Sequence, residues 1–263
     1  MDWVIAIASY RRARVLCERT LALLRKHAIP ADRIHIFVAN EAEEHEYMQT
    51  LPPEDYHIHV AVLGVAAVRS FIIDFFPTGT HVFSIDDDIK DIVEISGDKL
   101  RPIEDLQGFV THSFEEAMRR GVRLWGLYPV NNRLFMEETS TTGLVFVIGC
   151  CFGIITPGPG ILHCTLDDKD DFQRSLSFYL LDGGVLRFNR VAPDTKYGTT
   201  PGGNQVTGTP ERAAQAARAF VEAYPDLAKI RKKARGDDIR LGDSRSNKAF
   251  GPEALAAYTP PRL

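Results

Sequence analysis

Long apolar runs, paired cysteines and a large excess of either charge are all missing from this 263-residue chain. No stretch approaches the ~20 continuous apolar residues of a membrane helix. Gly143 to Pro157 is too short for that role and too rich in glycine and β-branched residues, and it reads as a buried strand pair. Cys17, Cys150, Cys151 and Cys164 show no CxxC spacing, and Met1-Asp2-Trp3-Val4 lacks the basic start and apolar core of a signal peptide. Reduced thiols in a cytoplasm, with no membrane partner, are the expectation. A formal net charge of −4 argues against strong non-specific nucleic-acid binding by the whole surface and leaves room for a local basic patch. There is no glycine-rich P-loop with its lysine, no nucleophile motif, and no histidine after His163. What remains is an average globular composition, 44% hydrophobic and 25% charged. It can bury a full core as one large domain, or one domain plus a tail, and it excludes wholesale disorder.

Strand and helix patterns alternate along the first third. Val4 to Ala8 is a short apolar run. Ser9 follows as a candidate helix N-cap, and Cys17, Thr20, Leu21 and Leu24 then fall at helical spacing. Ile34 to Val38 reads as a strand, Glu41 to Thr50 as a polar helix, Ile58 to Leu63 as a strand, Val65 to Phe76 as a helix and His81 to Ile85 as a strand. This alternation predicts an α/β fold with a mostly parallel central sheet flanked by helices. Such sheets bind ligands beyond the carboxyl ends of their strands. The loop Ser9-Tyr10-Arg11-Arg12 and the triplet Asp86-Asp87-Asp88 both fall there.

The triplet ends the apolar strand Phe83-Ser84-Ile85. Side chains alternate across a strand, so Asp86 and Asp88 are expected on one side and Asp87 on the other. Two carboxylates suit Mn2+ or Mg2+, which takes hard oxygen ligands and commonly shares them with substrate phosphates. A solvated acidic turn is the plain alternative.

The second half has another texture. Glu104 to Arg120 reads as an amphipathic helix and Arg123 to Leu127 as a strand, with a polar loop at Asn131 to Thr142 that resembles the wall of an acceptor site. Thr165-Leu166-Asp167-Asp168-Lys169-Asp170-Asp171 opens a helix with a buried stripe of Phe172, Leu176, Tyr179 and Leu180, closed by Gly183-Gly184. Thr165 and Asp168 have capping-box spacing. Asp168 is expected on the core-facing edge, as a partly buried carboxylate able to act as a base. Asp167, Asp170, Asp171 and Arg174 are expected on the other side. Val185 to Val191 reads as a strand. The glycine-, proline- and threonine-rich segment from Pro193 to Gln205 reads as a lid or a linker, in which Lys196 and the amides of Gly202 and Gly203 can meet a diphosphate. Thr209-Pro210-Glu211 starts an alanine-rich helix to about Tyr224. A basic run, Lys229 to Arg235, follows, and the final stretch has no readable core. The division expected is a domain over 1–205 and a C-terminal helix and tail over 206–263.

The ordered combination of the Ile-Ala-Ser-Tyr-Arg-Arg loop, the strand ending in Asp86-Asp87-Asp88, the acidic helix start, Gly183-Gly184 and Arg187-Phe188-Asn189-Arg190 resembles a GT-A glycosyltransferase. More narrowly, it resembles the TET/JBP-associated glycosyltransferases of phages and their eukaryotic relatives, over about Val4 to Gln205. The resemblance implies metal-dependent transfer from a nucleotide-diphosphate sugar, a UDP-sugar first of all, to 5-hydroxymethylcytosine in DNA. It implies that Asp86 and Asp88 hold the metal, and that Ser9, Tyr10, Arg11, Arg12, Asp86, Asp87, Lys196, Gly202 and Gly203 meet the donor. Asp168 or Asp171 then takes the acceptor proton if the reaction inverts the anomeric centre. Arg187, Arg190, Arg231, Lys232 and Lys233 are the candidate DNA contacts. Many GT-A enzymes use a C-terminal histidine as a further metal ligand. Here Asp194, Asn189, water or the donor itself has to complete the shell. A GT-A enzyme with a glycan or small-molecule acceptor, a non-catalytic nucleotide or modified-DNA binding module, and a phosphoryl-transfer enzyme are the alternatives.

Overall fold

Strand follows helix through the first eighty-odd residues as β1 (Val4–Ala8), α1 (Ala13–Glu18), α2 (Thr20–Lys26), β2 (Ile34–Val38), α3 (Glu41–Thr50), β3 (His57–Val60), α4 (Val65–Phe75) and β4 (His81–Ile85). The computed structural model describes residues 1–52, 56–195, 209–233 and 236–261. The chain continues through β5 (Asp91–Ser96), β6 (Lys99–Pro102), α5 (Leu106–Arg119), β7 (Leu124–Leu127), β8 (Ser140–Gly143), β9 (Cys151–Ile155), α6 (Asp170–Asp182), β10 (Val185–Phe188) and β11 (Val191–Asp194). It ends in α7 (Pro210–Ala223), β12 (Ala228–Lys233), β13 (Gly236–Leu241) and α8 (Pro252–Ala256).

The central sheet has eight strands in the order β3-β2-β1-β4-β9-β7-β10-β8. All but β9 and β8 run in one direction. Strand order reverses between β1 and β4, where the chain winds outward to β2 and β3 on one side and to β4 on the other. At that switch point the loops leaving adjacent strands diverge and open a crevice. Those two loops are Ser9 to Arg12 and Asp86 to Asp88.

Side chains alternate across strands that are buried on both faces, which gives the sheet two cores. Ile5 and Ile7 of β1, Phe83 and Ile85 of β4, and Trp125 and Leu127 of β7 face Leu16, Leu21, Val110 and Phe114. Ala6, Val82 and Leu124 face Val68, Ile72, Phe178 and Leu181 on the opposite side. A smaller antiparallel sheet, β11-β5-β6, lies beside this frame.

Several local expectations are corrected. Ser9 is not a helix cap, because α1 starts only at Ala13 and the Ser9 hydroxyl is committed elsewhere. Gly143 to Pro157 is not a strand pair. Only Cys151–Ile155 pairs as a strand beyond the end of β8, because the preceding backbone answers to side chains: Ser175 Oγ takes the Val147 N–H and Arg187 Nη1 donates to the Phe146 carbonyl. No capping box forms at Thr165. The helix starts at Asp170, while Thr165 Oγ1 donates to the Pro261 carbonyl and the Thr165 N–H goes to Gln173 Oε1. The C-terminal stretch does own a core. Ile239, Leu241, Leu255 and Tyr258 join Phe220 of the preceding helix and Tyr224 at its end in a cluster with Leu176, Tyr179 and Leu180 of α6. Gly183 ends α6 in the left-handed conformation at φ 81, as its sequence position predicts. No described helix is long and apolar enough to cross a membrane.

Candidate active site

The acidic triplet emerges from β4 with three different fates. Asp87 is locked inside. Its Oδ2 accepts from Ser9 Oγ at 2.6 Å and its Oδ1 from Arg12 Nη1 at 3.1 Å. Burial pushes this carboxyl up to about 7, against the pull of Arg12 and Ser9. Asp86 and Asp88 stay more open, with side chains 33% and 14% exposed against 5% for Asp87. Asp86 accepts from Arg69 Nη2 at 3.0 Å, and Asp88 Oδ1 from Thr195 Oγ1 at 3.2 Å, with Arg12 at 3.4 Å from Asp88 Oδ2. Thr20, fully buried at the start of α2, fixes the turn by donating to the Asp86 carbonyl at 2.7 Å and accepting the Ile89 N–H.

Arg69 of α4 joins this cluster to a second one. It donates to Asp86 with Nη2 and to Asp170 Oδ2 with Nη1, the latter at 2.5 Å. Burial works against the Arg69 cation, but the facing Asp170 and Asp86 carboxylates hold its pKa above the ordinary value. The guanidinium is also pinned from behind, because a Cβ at Gly149 would come within 2.3 Å of Arg69 Nη1. Asp170 is shared with Arg174, whose Nη1 donates to Oδ2 at 3.0 Å and whose guanidinium lies 3.8 Å from the Phe152 ring centroid. Both Asp170 and Arg174 are buried, so neither faces away from the core as the helical spacing predicts.

Asp171 is next in the chain, at the first turn of α6. Burial pushes its carboxyl up to about 6, the charge of Asp170 adds to the rise, and Arg174 and Arg69 oppose it. Asp168 has another environment. It lies before the helix and is ion-paired with Arg212 Nε of α7 at 3.0 Å. Arg212 also reaches Asp167 Oδ2 at 2.6 Å, and Asp167 Oδ1 caps α4 by accepting the Ala66 N–H. Asp167 and Asp168 thereby join the starts of α4, α6 and α7.

The other candidates are scattered. Tyr10 is half-buried, with the Arg11 guanidinium 5.0 Å from its ring. Lys196, Gly202 and Gly203 lie outside the described residues. Arg187 is not an outward-facing phosphate contact. It is half-buried beside Tyr128, donates to Asn189 Oδ1, and has its pKa lowered by burial. Arg190 is exposed and paired with Glu94. Arg231 and Lys232 are exposed on β12, in register with Asp238 and Asp237 of β13, and those two carboxylates are ion-paired with Lys169 at 3.9 Å and Arg218 at 3.2 Å. Nothing is described of the Lys233 side chain. Asn189 is buried, with its oxygen accepting from Arg187 and its nitrogen donating to Thr139 and Thr141. Asp194 is engaged by Asn131 at 2.9 Å, with Lys90 at 3.8 Å.

The residues present fit a divalent cation in one way. Among the described residues no group of three or more His, Cys, Asp or Glu side chains is arranged to hold a metal. Asp86 and Asp88, however, are hard-oxygen donors at the crevice with partly open faces, and this suits an ion that takes its other ligands from a diphosphate and water.

The sequence matches no family model and no curated relative. Among solved structures, S. aureus TarS 1-349 in complex with UDP-GlcNAc superposes with a TM-score of 0.54 over 84% of this chain, at 13% identity. The TarS 1-349 structure described without a ligand gives 0.50 over 84%, at 12% identity. The chain spans 66% and 65% of those chains, less than two thirds of each. A looser likeness, TM-score 0.49 over 85% of this chain and 64% of the other at 14% identity, is to the mannosyltransferase PcManGT from Pyrobaculum calidifontis in complex with GDP-Man and Mn2+. The fold is that of the GT-A glycosyltransferases.

Proposed function

We propose that this protein transfers a sugar from a nucleotide-diphosphate sugar, a UDP-sugar first of all, to an acceptor hydroxyl with inversion of the anomeric centre. One observation carries the reading: Arg69 bridges Asp86 at the end of β4 and Asp170, the first residue of α6, which supports a site shared by the acidic triplet and the first turn of that helix, where Asp171 lies. Asp86 and Asp88 would hold a divalent cation, Mn2+ or Mg2+, whose chemistry there would be to offset the charge that builds on the departing nucleoside diphosphate. Arg12, at the same rim, adds positive charge on that side. Asp171 receives the acceptor proton, a role for which a carboxyl raised to about 6 is suited, being ionised yet basic near neutrality. Asp168 is the weaker candidate because Arg212 holds its carboxylate.

The acceptor implied by the sequence resemblance is 5-hydroxymethylcytosine in DNA. A glycan or small-molecule hydroxyl is the second reading, and it is favoured by the half-buried position of Arg187, which donates to Asn189 and to the Phe146 carbonyl. Mass spectrometry of nucleosides from 5-hydroxymethylcytosine DNA, incubated with protein, Mn2+ and a panel of nucleotide sugars, separates them. A hexose-sized or aminosugar-sized gain establishes transfer to DNA. No gain, with one nucleotide sugar still bound or hydrolysed, moves the acceptor to a glycan or small molecule. If no nucleotide sugar is bound or hydrolysed, the transferase reading falls.

A further inference from the structure

The loop between β1 and α1 is held by a closed ring of hydrogen bonds that includes a residue from α3. Ser9 has one hydroxyl proton, and it goes to Asp87 Oδ2 at 2.6 Å. The 2.6 Å contact between Ser9 Oγ and Tyr47 Oη must then be donated by the tyrosine. Tyr47 Oη accepts the Arg12 N–H at 3.1 Å, and the Arg12 guanidinium returns to Asp87 Oδ1 at 3.1 Å. The donors run from Arg12 N–H through Tyr47 and Ser9 to Asp87, and the Arg12 side chain closes the ring. In such a chain each bond polarises the next.

A second support lies one residue earlier. Arg11 has φ 56, a left-handed conformation that is uncommon for a non-glycine residue, and its N–H is accepted by Glu43 Oε2 at 2.9 Å. Glu43 is the third residue of α3, whose N-cap is Asn40. A glutamate there ordinarily reaches back to the N-cap amide. Here an oxygen of the Glu43 carboxylate reaches across to another loop. Glu43 and Tyr47, four apart, are the buried residues of an otherwise polar, outward-facing helix.

We infer that Glu43 and Tyr47 are positioning residues for the donor, holding the Ser9 to Arg12 loop, and through Asp87 the flanking Asp86 and Asp88, in the shape that a nucleotide diphosphate meets. The inference rests on the donor-site reading given above. Neither side chain needs to touch the donor. Their effect reaches it through backbone geometry at Arg11 and Arg12 and through the anchored middle carboxylate.

The test uses Tyr47→Phe, which removes one oxygen and keeps the buried ring, beside Glu43→Ala and Glu43→Gln. Hydrogen exchange of the Arg11 and Arg12 amides is measured together with calorimetric titration of UDP-GlcNAc and the rest of a nucleotide-sugar panel in Mn2+. The expected result is faster exchange at Arg12 in Tyr47→Phe and at Arg11 in Glu43→Ala. Donor affinity falls about tenfold, as for the loss of a buried hydrogen bond. Glu43→Gln, which retains an acceptor oxygen, recovers part of both. With a transferred sugar as readout, donor KM rises while kcat stays within about twofold, the pattern of lost uniform binding. Donor affinity unchanged in all three variants overturns the inference while the donor site stands, as does unchanged amide exchange. A wild-type protein that binds no nucleotide sugar overturns the donor-site reading and this inference with it.

Discussion

Asp86-Asp87-Asp88 at the end of β4 and Asp167 to Asp171 ahead of α6 are both short acidic runs at the edge of a secondary-structure element, and the fold divides the labour within each run in the same way. In the first, Asp87 is buried and bound by Ser9 and Arg12, while Asp86 and Asp88 stay at the crevice. In the second, Asp170 is buried and bound by Arg69 and Arg174; here burial raises the carboxyl of its neighbour Asp171, whereas in the first run it raises the bound Asp87 itself. The difference lies in how the remaining carboxylates are neutralised. Thr195 and two arginines attend the outer pair of the first run, whereas Arg212 takes Asp167 and Asp168 of the second out of circulation. Each run thus buries one carboxylate against arginine, and the proposed roles fall on its neighbours.

The sharpest way to break the comparison is at Asp171. Asp171→Asn is expected to lower transfer by about 10²–10⁴-fold, the usual contribution of a general base, with donor binding retained. Asp168→Asn is expected to lower it far less, and steady-state kinetics of the two proteins side by side decides between them. Next in size is Asp170→Ala, which leaves Arg69 and Arg174 buried without their shared partner. Removal of one member of a buried ion pair costs about 3–5 kcal/mol, and denaturant unfolding is expected to report a loss on that order.

A pH series sharpens the same contrast. A base must be ionised to accept a proton, so transfer is expected to climb as pH rises through about 6 and to level off above it. In Asp171→Asn that acid limb should disappear from the residual activity. A limb that persists unchanged assigns the base elsewhere.

The smallest effect lies away from both runs, on β2 and β3, where His35 Nδ1 lies 2.9 Å from His59 Nε2 and stacks on His57. Burial, with repulsion from His57 and His59, lowers His35 to about 4. The folded state therefore resists protonation that the unfolded chain accepts near pH 6.5. The stability tied to the neutral ring is complete above about 6.5 and drains as pH falls toward 4. The unfolding midpoint of His35→Gln is expected to vary less over that window than that of the wild type.

Much of the frame is legible in the residues. The apolar strands β1, β2 and β4, the helix start at Thr209 and the stop at Gly183 are local signals, and each falls where its pattern predicts. The crevice follows from them, because two loops leave adjacent parallel strands at the switch point. What sequence spacing does not carry is long-range partnership. Asp170 looks like one more first-turn acid until Arg69, 101 residues away, is placed against it. Tyr47 looks like a residue of a polar helix until the Ser9 loop closes on it, and Arg212 like a helix-surface cation. A buried arginine in the apolar pattern of α4 was the available signal, since Val68-Arg69-Ser70 sits amid residues that otherwise face the core.

The most direct measurement of the central claim is calorimetric donor binding and transfer for wild type, Asp88→Asn and Asp171→Asn in the same Mn2+ buffer, with the nucleotide sugar that the wild type selects. If the two acidic runs divide donor binding and proton transfer as described, Asp88→Asn loses donor affinity, and Asp171→Asn binds the donor like wild type yet fails to transfer. Equal loss of binding in both variants, or full transfer by either, contradicts it.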